Sequence, residues 1–342
     1  MKNPYKQIQA YHSSWVLWLC DLLFMFPYLQ WLRWRTADSL ELELGGGDTP
    51  WQSKEQKKQI EHDIRNGATF LTNHRDIIMD AAWLSYRLRM RYNIRPYLGI
   101  GNNLLKKRWI EWLVRFNRCY VVVRSGSPKQ VLEHARLLSA YIGHLRSRGK
   151  SIWLAQREGR AKDCNDLTQP AVLKMLTLDS DNFLDAVYHL NICPVSLSYQ
   201  YDPCDFLKAA ELQSKRDNPL WRKGQRDDLI SMKTGIMGQK GHVQFRLTPS
   251  INHWIDAHRD ELQSLSRNEQ VQAVARRIDY QIHVGYQLFP RGDKFDDYVR
   301  QQVARIAIPD KDEAFLTQTI YTMYANIEHN HQAACRHKEE SL

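Results

Sequence analysis

The stretch FLTNHRDIIMD, Phe70 to Asp80, sets one histidine, one arginine and two aspartates behind a short apolar run. Such a run is expected to be a buried strand, and the turn after it can present the ring of His74 to a cleft. An ordinary histidine titrates near ~6.5, so it can take a proton at neutral pH, while a nearby carboxylate fixes its tautomer and stabilises the imidazolium. Asp76 and Asp80 are both close enough in sequence to supply that carboxylate. No G-x-S-x-G elbow marks a serine nucleophile, so the simplest chemistry is direct base catalysis, in which a substrate hydroxyl itself attacks. A histidine at a strand end also serves as a structural hydrogen-bonder, and the motif alone does not separate the two roles.

A second cluster, SIWLAQREGRAKD, Ser151 to Asp163, places Arg157, Glu158, Gly159, Arg160 and Lys162 just past another apolar run. The glycine permits close backbone approach, and guanidinium groups fork onto phosphate oxygens, so the cluster reads as a phosphate site. A solvated charged turn is the plainer reading of the same letters. HRD also occurs in the protein-kinase catalytic loop, but Ala81 stands where that loop needs Asn, and no Gly-rich loop, V-A-I-K or D-F-G accompanies it. EHNHQAACRH near the chain end carries His329, His331, Cys335 and His337 at a spacing that matches no familiar zinc pattern, so no metal is expected. GGGD at Gly45 to Asp48 reads as a hinge, and GIGN at Gly99 as a turn.

Both clusters need rigid elements behind them. From residue 51 the pattern alternates between helical and extended segments: WQSKEQKKQIEHDIRNG, DAAWLSYRLRMRY, NLLKKRWIEWLVRF and PKQVLEHARLLSAYIGHLRSRG as helices; ATFLTNH, RPYLGI, CYVVVRS, SIWLAQ, NICPVSLSYQY and GHVQFRLTPSI as strands. Strands separated by helices predict an α/β fold, a central mixed, largely parallel sheet flanked by helices, with ligand sites at the loops after the strands. Beyond about residue 253 the patterns are helical. The expected organisation is an N-terminal segment over 1–50, an α/β domain over 51–252 and a helical C-terminal region over 253–342.

At 342 residues, with 43% hydrophobic and 25% charged side chains, the chain can bury a real core, and no low-complexity tract or repeat signals disorder or a solenoid. Forty-eight Lys and Arg against 38 Asp and Glu give +10, which attracts polyanions such as anionic lipid, phosphorylated metabolites, acidic carrier protein or nucleic acid. Basic residues spread along the chain without a reading motif argue against nucleic acid. Six cysteines with no C-x-x-C pair fit a reducing interior. The most apolar segment, SSWVLWLCDLLFMFPYLQWLRWR from Ser13 to Arg35, is interrupted by Asp21, Pro27 and Gln30, and the mean hydropathy is −0.56. Its tryptophans suit the headgroup level of a bilayer, so it is expected to lie in the interface as a membrane-associating helical segment. A helix packed on the protein's own core is the alternative.

Taken together, these pieces resemble the phospholipid and glycerol acyltransferases, which include glycerol-3-phosphate and lysophosphatidic acid acyltransferases. NHRDIIMD resembles the family's first block, FNRCYVVVRS its second, REGRAKD its Glu-Gly block and ICPVSLSYQYD its last, in order between about residues 70 and 205. The resemblance implies that His74 is the general base on the acceptor hydroxyl, with an aspartate orienting it. The family's Asp falls where Met79 stands; Asp80 immediately precedes the apolar helix as the family's Asp does and is favoured, with Asp76 as the other candidate. The resemblance also places Glu158 and Gly159 in the acceptor site and Arg124 on its phosphate.

It implies an acyl thioester of coenzyme A or acyl carrier protein as donor, and no metal or redox cofactor. The expected function is therefore transfer of a fatty acyl group to a hydroxyl of a glycerol phosphate or lysophospholipid in phospholipid biosynthesis. The expected place is the cytoplasmic face of the inner membrane, held there peripherally or monotopically. The rival is a non-catalytic basic protein that binds anionic lipid through the same surface.

Overall fold

The computed structural model describes residues 4–10, 25–105, 108–123, 126–224, 226–292 and 294–336. Helix α1 (Phe26–Thr36) leads into strand β1 (Ser39–Leu44), α2 (Lys54–Arg65), β2 (Thr69–Thr72), α3 (Met79–Tyr92) and β3 (Tyr97–Gly101). Then come α4 (Arg108–Phe116), β4 (Cys119–Val122), α5 (Pro128–Ser147), β5 (Ile152–Ala155), α6 (Pro170–Leu176), α7 (Phe183–Leu190) and β6 (Ile192–Tyr199). After α8 (Asp205–Asp217), α9 (Asp227–Met237) and β7 (His242–Leu247), the described chain is helical: α10 (Asn252–Ala257), α11 (Arg259–Ser264), α12 (Arg267–Val284), α13 (Lys294–Ala304) and α14 (Glu313–Arg336).

The helices start where the local chemistry directs. Ser53 with Gln56, Ser127 with Gln130 and Ser266 with Glu269 form reciprocal capping boxes at α2, α5 and α12, each satisfying amides that the first turn leaves open. Pro128 adds a fixed φ at the start of α5.

Seven strands form one sheet in the order β1-β7-β6-β2-β5-β3-β4. Strands β6, β2, β5, β3 and β4 run parallel, β6 and β7 pair antiparallel, and β1 runs parallel to β7. Successive side chains leave a strand on opposite faces, so each central strand feeds two cores. Leu71, Leu154 and Ile192 join α5, α6, α7 and α12 on one face, while Phe70, Trp153 and Cys193 join α1, α2 and α3 on the other. Helices α8, α13 and α14 gather a third cluster around Phe206, Phe295 and Tyr324.

The α/β fold with a mixed, largely parallel sheet follows the sequence expectation. Two local readings differ. Gly99 and Gly101 belong to β3, not to a turn, because a Cβ at Gly99 would meet Leu154 Cδ1 at 2.6 Å and the Tyr120 hydroxyl at 2.9 Å. Strand β1, with its alternating SLELEL, extends the sheet N-terminal to residue 51. The segment after residue 252 is helical, but α12 lies directly against β6 and shares its core. No helix among the described residues is long and apolar enough to cross a membrane, and residues 11–24 of the aromatic N-terminal segment lie outside the described residues.

Candidate active site

Strands β2 and β5 pair in parallel with Thr72 opposite Ala155, so His74 and Arg157 each stand two residues past the same end of the sheet. Both sequence clusters are thereby brought to one edge, where a cavity of about 1010 Å³ is lined by His74, Arg157, Glu158, Gly159, Arg160 and Lys162. Asn73 anchors the turn: its side chain donates to the Leu197 carbonyl at 2.9 Å and accepts from the Leu197 amide at 2.8 Å, continuing the β2–β6 ladder by one rung. The next side chain, His74, is thus delivered to the cavity from a fixed backbone.

His74 Nδ1 lies 2.8 Å from Asp80 Oδ2. The same oxygen accepts the amides of Arg75 at 2.7 Å and Asp76 at 2.9 Å, and Asp80 Oδ1 accepts the Tyr199 hydroxyl at 2.8 Å. An ionised carboxylate can only accept, so Nδ1 is the protonated ring nitrogen in this network and Nε2 keeps its lone pair. Trp153 sets its ring edge-on to the imidazole, 6.2 Å between centroids. Asp76 has other work. Its Oδ1 takes the amides of Ile78 and Met79, each at 2.8 Å, capping the entry to α3. Burial, and then the Asp80 charge, push the Asp76 carboxyl up. The histidine therefore pairs with Asp80, across the turn that Asp76 caps.

Arg75 points away from the cavity. Its Nη2 meets Asp166 Oδ2 at 2.8 Å, with both side chains buried, and its guanidinium lies 5.8 Å over the Tyr286 ring. Asp166 belongs to the segment between β5 and α6, so this ion pair locks the two site loops together and ties them to the turn after α12. Removing one partner of such a pair costs about 3 to 5 kcal/mol, because the other charge stays buried.

The basic end of the cavity is built from three segments. Arg160 lines the cavity, is only 8% exposed, and has its Nη1 buried without a hydrogen-bond partner. Lys162 Nζ meets Glu211 Oε2 at 2.7 Å, Lys223 approaches the same oxygen at 3.4 Å, and Lys215 holds Oε1 at 2.7 Å. Lys223 also meets Asp228 Oδ1 at 3.4 Å, so two carboxylates stand among three ammonium groups, and with Arg157 and Arg160 in the lining the local balance is cationic. Burial and the neighbouring Arg160 lower the Lys162 ammonium to about 7 despite Glu211. Gly159, at φ 69°, makes the turn that a side chain would strain, and the Glu158 amide is held by Gln169 Oε1 at 2.7 Å. The Glu158 side chain is exposed at the rim.

The other wall of the cavity is mainly apolar, with His134 and Lys174 among its residues. Val122, Val131, Leu138, Val172, Met175 and Leu178 line it between the β3–β4 end of the sheet and helices α5 and α6. No serine, threonine, cysteine or tyrosine lines the cavity among the described residues.

Of the residues singled out by sequence, His74, Arg157, Glu158, Gly159, Arg160 and Lys162 meet in this cavity, Asp80 supports His74 from behind, and Asp76 stands aside. Arg124 lies outside the described residues. Of the C-terminal histidines and cysteine, His331 Nδ1–H donates to the His283 carbonyl at 2.9 Å, and Cys335 Sγ lies 3.6 Å from His331 Nε2; His337 lies outside the described residues. Sequence reasoning missed Tyr199, Asp166, Glu211 and Lys223. The available signals were that Tyr199 lies near the end of the predicted strand NICPVSLSYQY and that KDCND follows the predicted strand SIWLAQ. No protein-family model matches the chain, and no curated protein is similar enough to count as a relative.

Proposed function

We propose that the chain is an O-acyltransferase that moves a fatty acyl group from an acyl thioester, of coenzyme A or acyl carrier protein, to a hydroxyl of a glycerol phosphate or lysophospholipid. The observation that carries this reading is the position of the His74–Asp80 pair where a cationic pocket meets a mainly apolar wall in one continuous cavity. Such a cavity suits two substrates that differ in polarity: an anionic headgroup among Arg157, Arg160 and Lys162, and an acyl chain between the sheet and α5 and α6. With no protein hydroxyl or thiol among the described lining residues, the nucleophile is best supplied by the acceptor, as direct base catalysis requires.

In this mechanism His74 Nε2 takes the acceptor hydroxyl proton as its oxygen attacks the thioester carbonyl carbon. The tetrahedral intermediate collapses by breaking the C–S bond, and the leaving thiolate recovers the proton from the imidazolium. The products are an ester and a free thiol. Asp80 stays ionised, holds the Nδ1–H tautomer and stabilises the transient cation. No cofactor enters these steps. The place of action proposed with this chemistry is the cytoplasmic face of the inner membrane, where acceptor and product partition.

The test is turnover by the purified chain with glycerol 3-phosphate and lysophosphatidic acid as acceptors and both thioesters as donors, with the new ester and the released thiol quantified. Ester and thiol in equal amounts support the reading. Lipid binding without any ester would favour the non-catalytic rival.

A further inference from the structure

The large apolar side chains exposed on this protein are not scattered. Of twelve among the described residues, six lie on two helices: Tyr28, Trp31 and Trp34 on α1, and Leu229, Ile230 and Met237 on α9. That concentration demands an account, whereas single exposed apolar residues do not. The two helices are neighbours. They pack against one another, and their C-terminal ends are stitched by Gln239 Nε2 donating to the Arg35 carbonyl and Lys240 N donating to the Thr36 carbonyl, both at 2.8 Å. Met237 and Trp34 flank that junction.

Each helix shows the reverse of ordinary amphipathicity on its outer side. On α1, Leu29, Leu32 and Thr36 are buried, while Trp34 is 80% exposed, Trp31 stacks on Tyr28, and the Arg35 guanidinium covers the Trp31 ring at 5.6 Å. On α9 and the residue before it, Arg226, Leu229, Ile230, Lys233 and Met237 are all exposed, at positions that fall on one stripe of a helix. Its inner side carries Ser231 and Gly235, and Gly235 sits against the Asp76 carboxylate with no room for a methyl group. The outward stripes hold aromatic rings, aliphatic chains and cations but no acid; Asp227 and Asp228 are half-buried, and Asp228 lines the cavity.

We propose that α1 and α9 together form a docking face for an anionic phospholipid surface. Tryptophan and tyrosine suit the headgroup level, aliphatic side chains beside them reach the acyl boundary, and Arg35, Arg226 and Lys233 meet anionic headgroups. A protein partner would not need cations throughout both stripes, nor an apolar face without a single acidic counterpart. Because α9 has Gly235 against the loop that Asp76 caps and Asp228 in the cavity wall, docking sets the cavity beside the bilayer. The inference stands whether or not the cavity transfers acyl groups.

The experiment is co-sedimentation of the full chain with vesicles of pure phosphatidylcholine and of about three parts phosphatidylcholine to one of phosphatidylglycerol, with partition expected to be about tenfold stronger on the anionic set. Leu229→Glu/Ile230→Glu and, separately, Trp34→Glu are expected to lower that partition about tenfold with unchanged circular dichroism, while Trp34→Phe keeps most of it. Partition unaffected by both acidic variants, as binding carried by the segment before α1 would give, overturns the proposal. So does a self-associated species in sedimentation velocity that the Leu229/Ile230 variant dissolves, since the occupant would then be a second copy. Turnover of detergent-dispersed substrates by the same variants separates this proposal from the catalytic one: it is expected to stay at wild-type levels.

Discussion

Replacing Tyr199 by Phe removes one oxygen and almost no volume, so it isolates the hydrogen bond that the phenol donates to Asp80 Oδ1 at 2.8 Å. Burial, and then the charge of Asp80, push the Tyr199 hydroxyl well above its ordinary range, so it remains a donor at every working pH. A hydrogen bond to a charged acceptor contributes about 1.5 to 3 kcal/mol, and a buried oxygen left without its donor costs about 1 to 3 kcal/mol. Tyr199→Phe is therefore expected to lower unfolding stability by roughly 2 kcal/mol. Asp80 Oδ2 keeps three donors, so the carboxylate is loosened rather than released. If about half of the lost energy had held His74 in line, the rate constant falls by roughly 5-fold, since 1.4 kcal/mol is tenfold. KM for the acceptor should not change, because Tyr199 does not line the cavity. Initial rates across acceptor concentrations, with urea unfolding alongside, give all three quantities. An unchanged kcat in a destabilised variant would refute the reasoning and leave Tyr199 a structural residue; a raised KM with kcat intact would refute it as well.

Two further predictions rest on charge. Lys162, lowered to about 7 by burial and by Arg160, loses its proton as pH rises through that value, and a phosphorylated acceptor then loses one cation. Wild-type kcat/KM for such an acceptor is expected to fall by about tenfold between roughly pH 7 and 9, while Lys162→Arg, always charged, holds a flatter profile over the same range; identical slopes would contradict the assignment. Asp205 is pushed up to about 7 by burial and the charge of Asp202, against hydrogen bonds from Tyr298 and Tyr324. The folded chain thus binds a proton that the unfolded chain releases near 3.8, so this contribution to stability is complete below that value and is lost as pH rises to about 7. The loss is on the order of 4 kcal/mol. Urea midpoints should decline across this window in the wild type and decline less in Asp205→Asn, and parallel profiles would show that Asp205 does not titrate there.

The legible part of this protein is the part written locally. Apolar runs bounded by turns marked β2, β4, β5 and β6, since a strand buried on both faces reads as a nearly continuous apolar run, while β7 was marked by the alternation of Val243, Phe245 and Leu247. Helix α3 was legible because Trp83, Leu84 and Leu88 repeat at helical spacing, and Asp80 was favoured over Asp76 for its place at the start of that helix. Strand β1 escaped because Glu41 and Glu43 make it read as solvated, although every second residue, Leu40, Leu42 and Leu44, is apolar. The rest of the site is non-local. Tyr199 reaches Asp80 across 119 residues, Asp166 meets Arg75 from another loop, and Glu211 and Lys223 join Lys162 only once α8 has packed beside the sheet. No spacing rule reports such contacts. The helix α9 stripe was unread because exposure, not composition, makes Leu229 and Ile230 notable.

The most direct test compares acyl transfer by wild type, His74→Ala, Asp80→Asn and Asp76→Asn, each checked for an intact fold, with long-chain acyl-coenzyme A and acyl carrier protein thioester offered to glycerol 3-phosphate and lysophosphatidic acid. His74→Ala and Asp80→Asn are each expected to lose about 10²- to 10⁴-fold in kcat, the range of a general base and its orienting group, while Asp76→Asn loses chiefly stability. Full activity in folded His74→Ala would contradict the account at its centre.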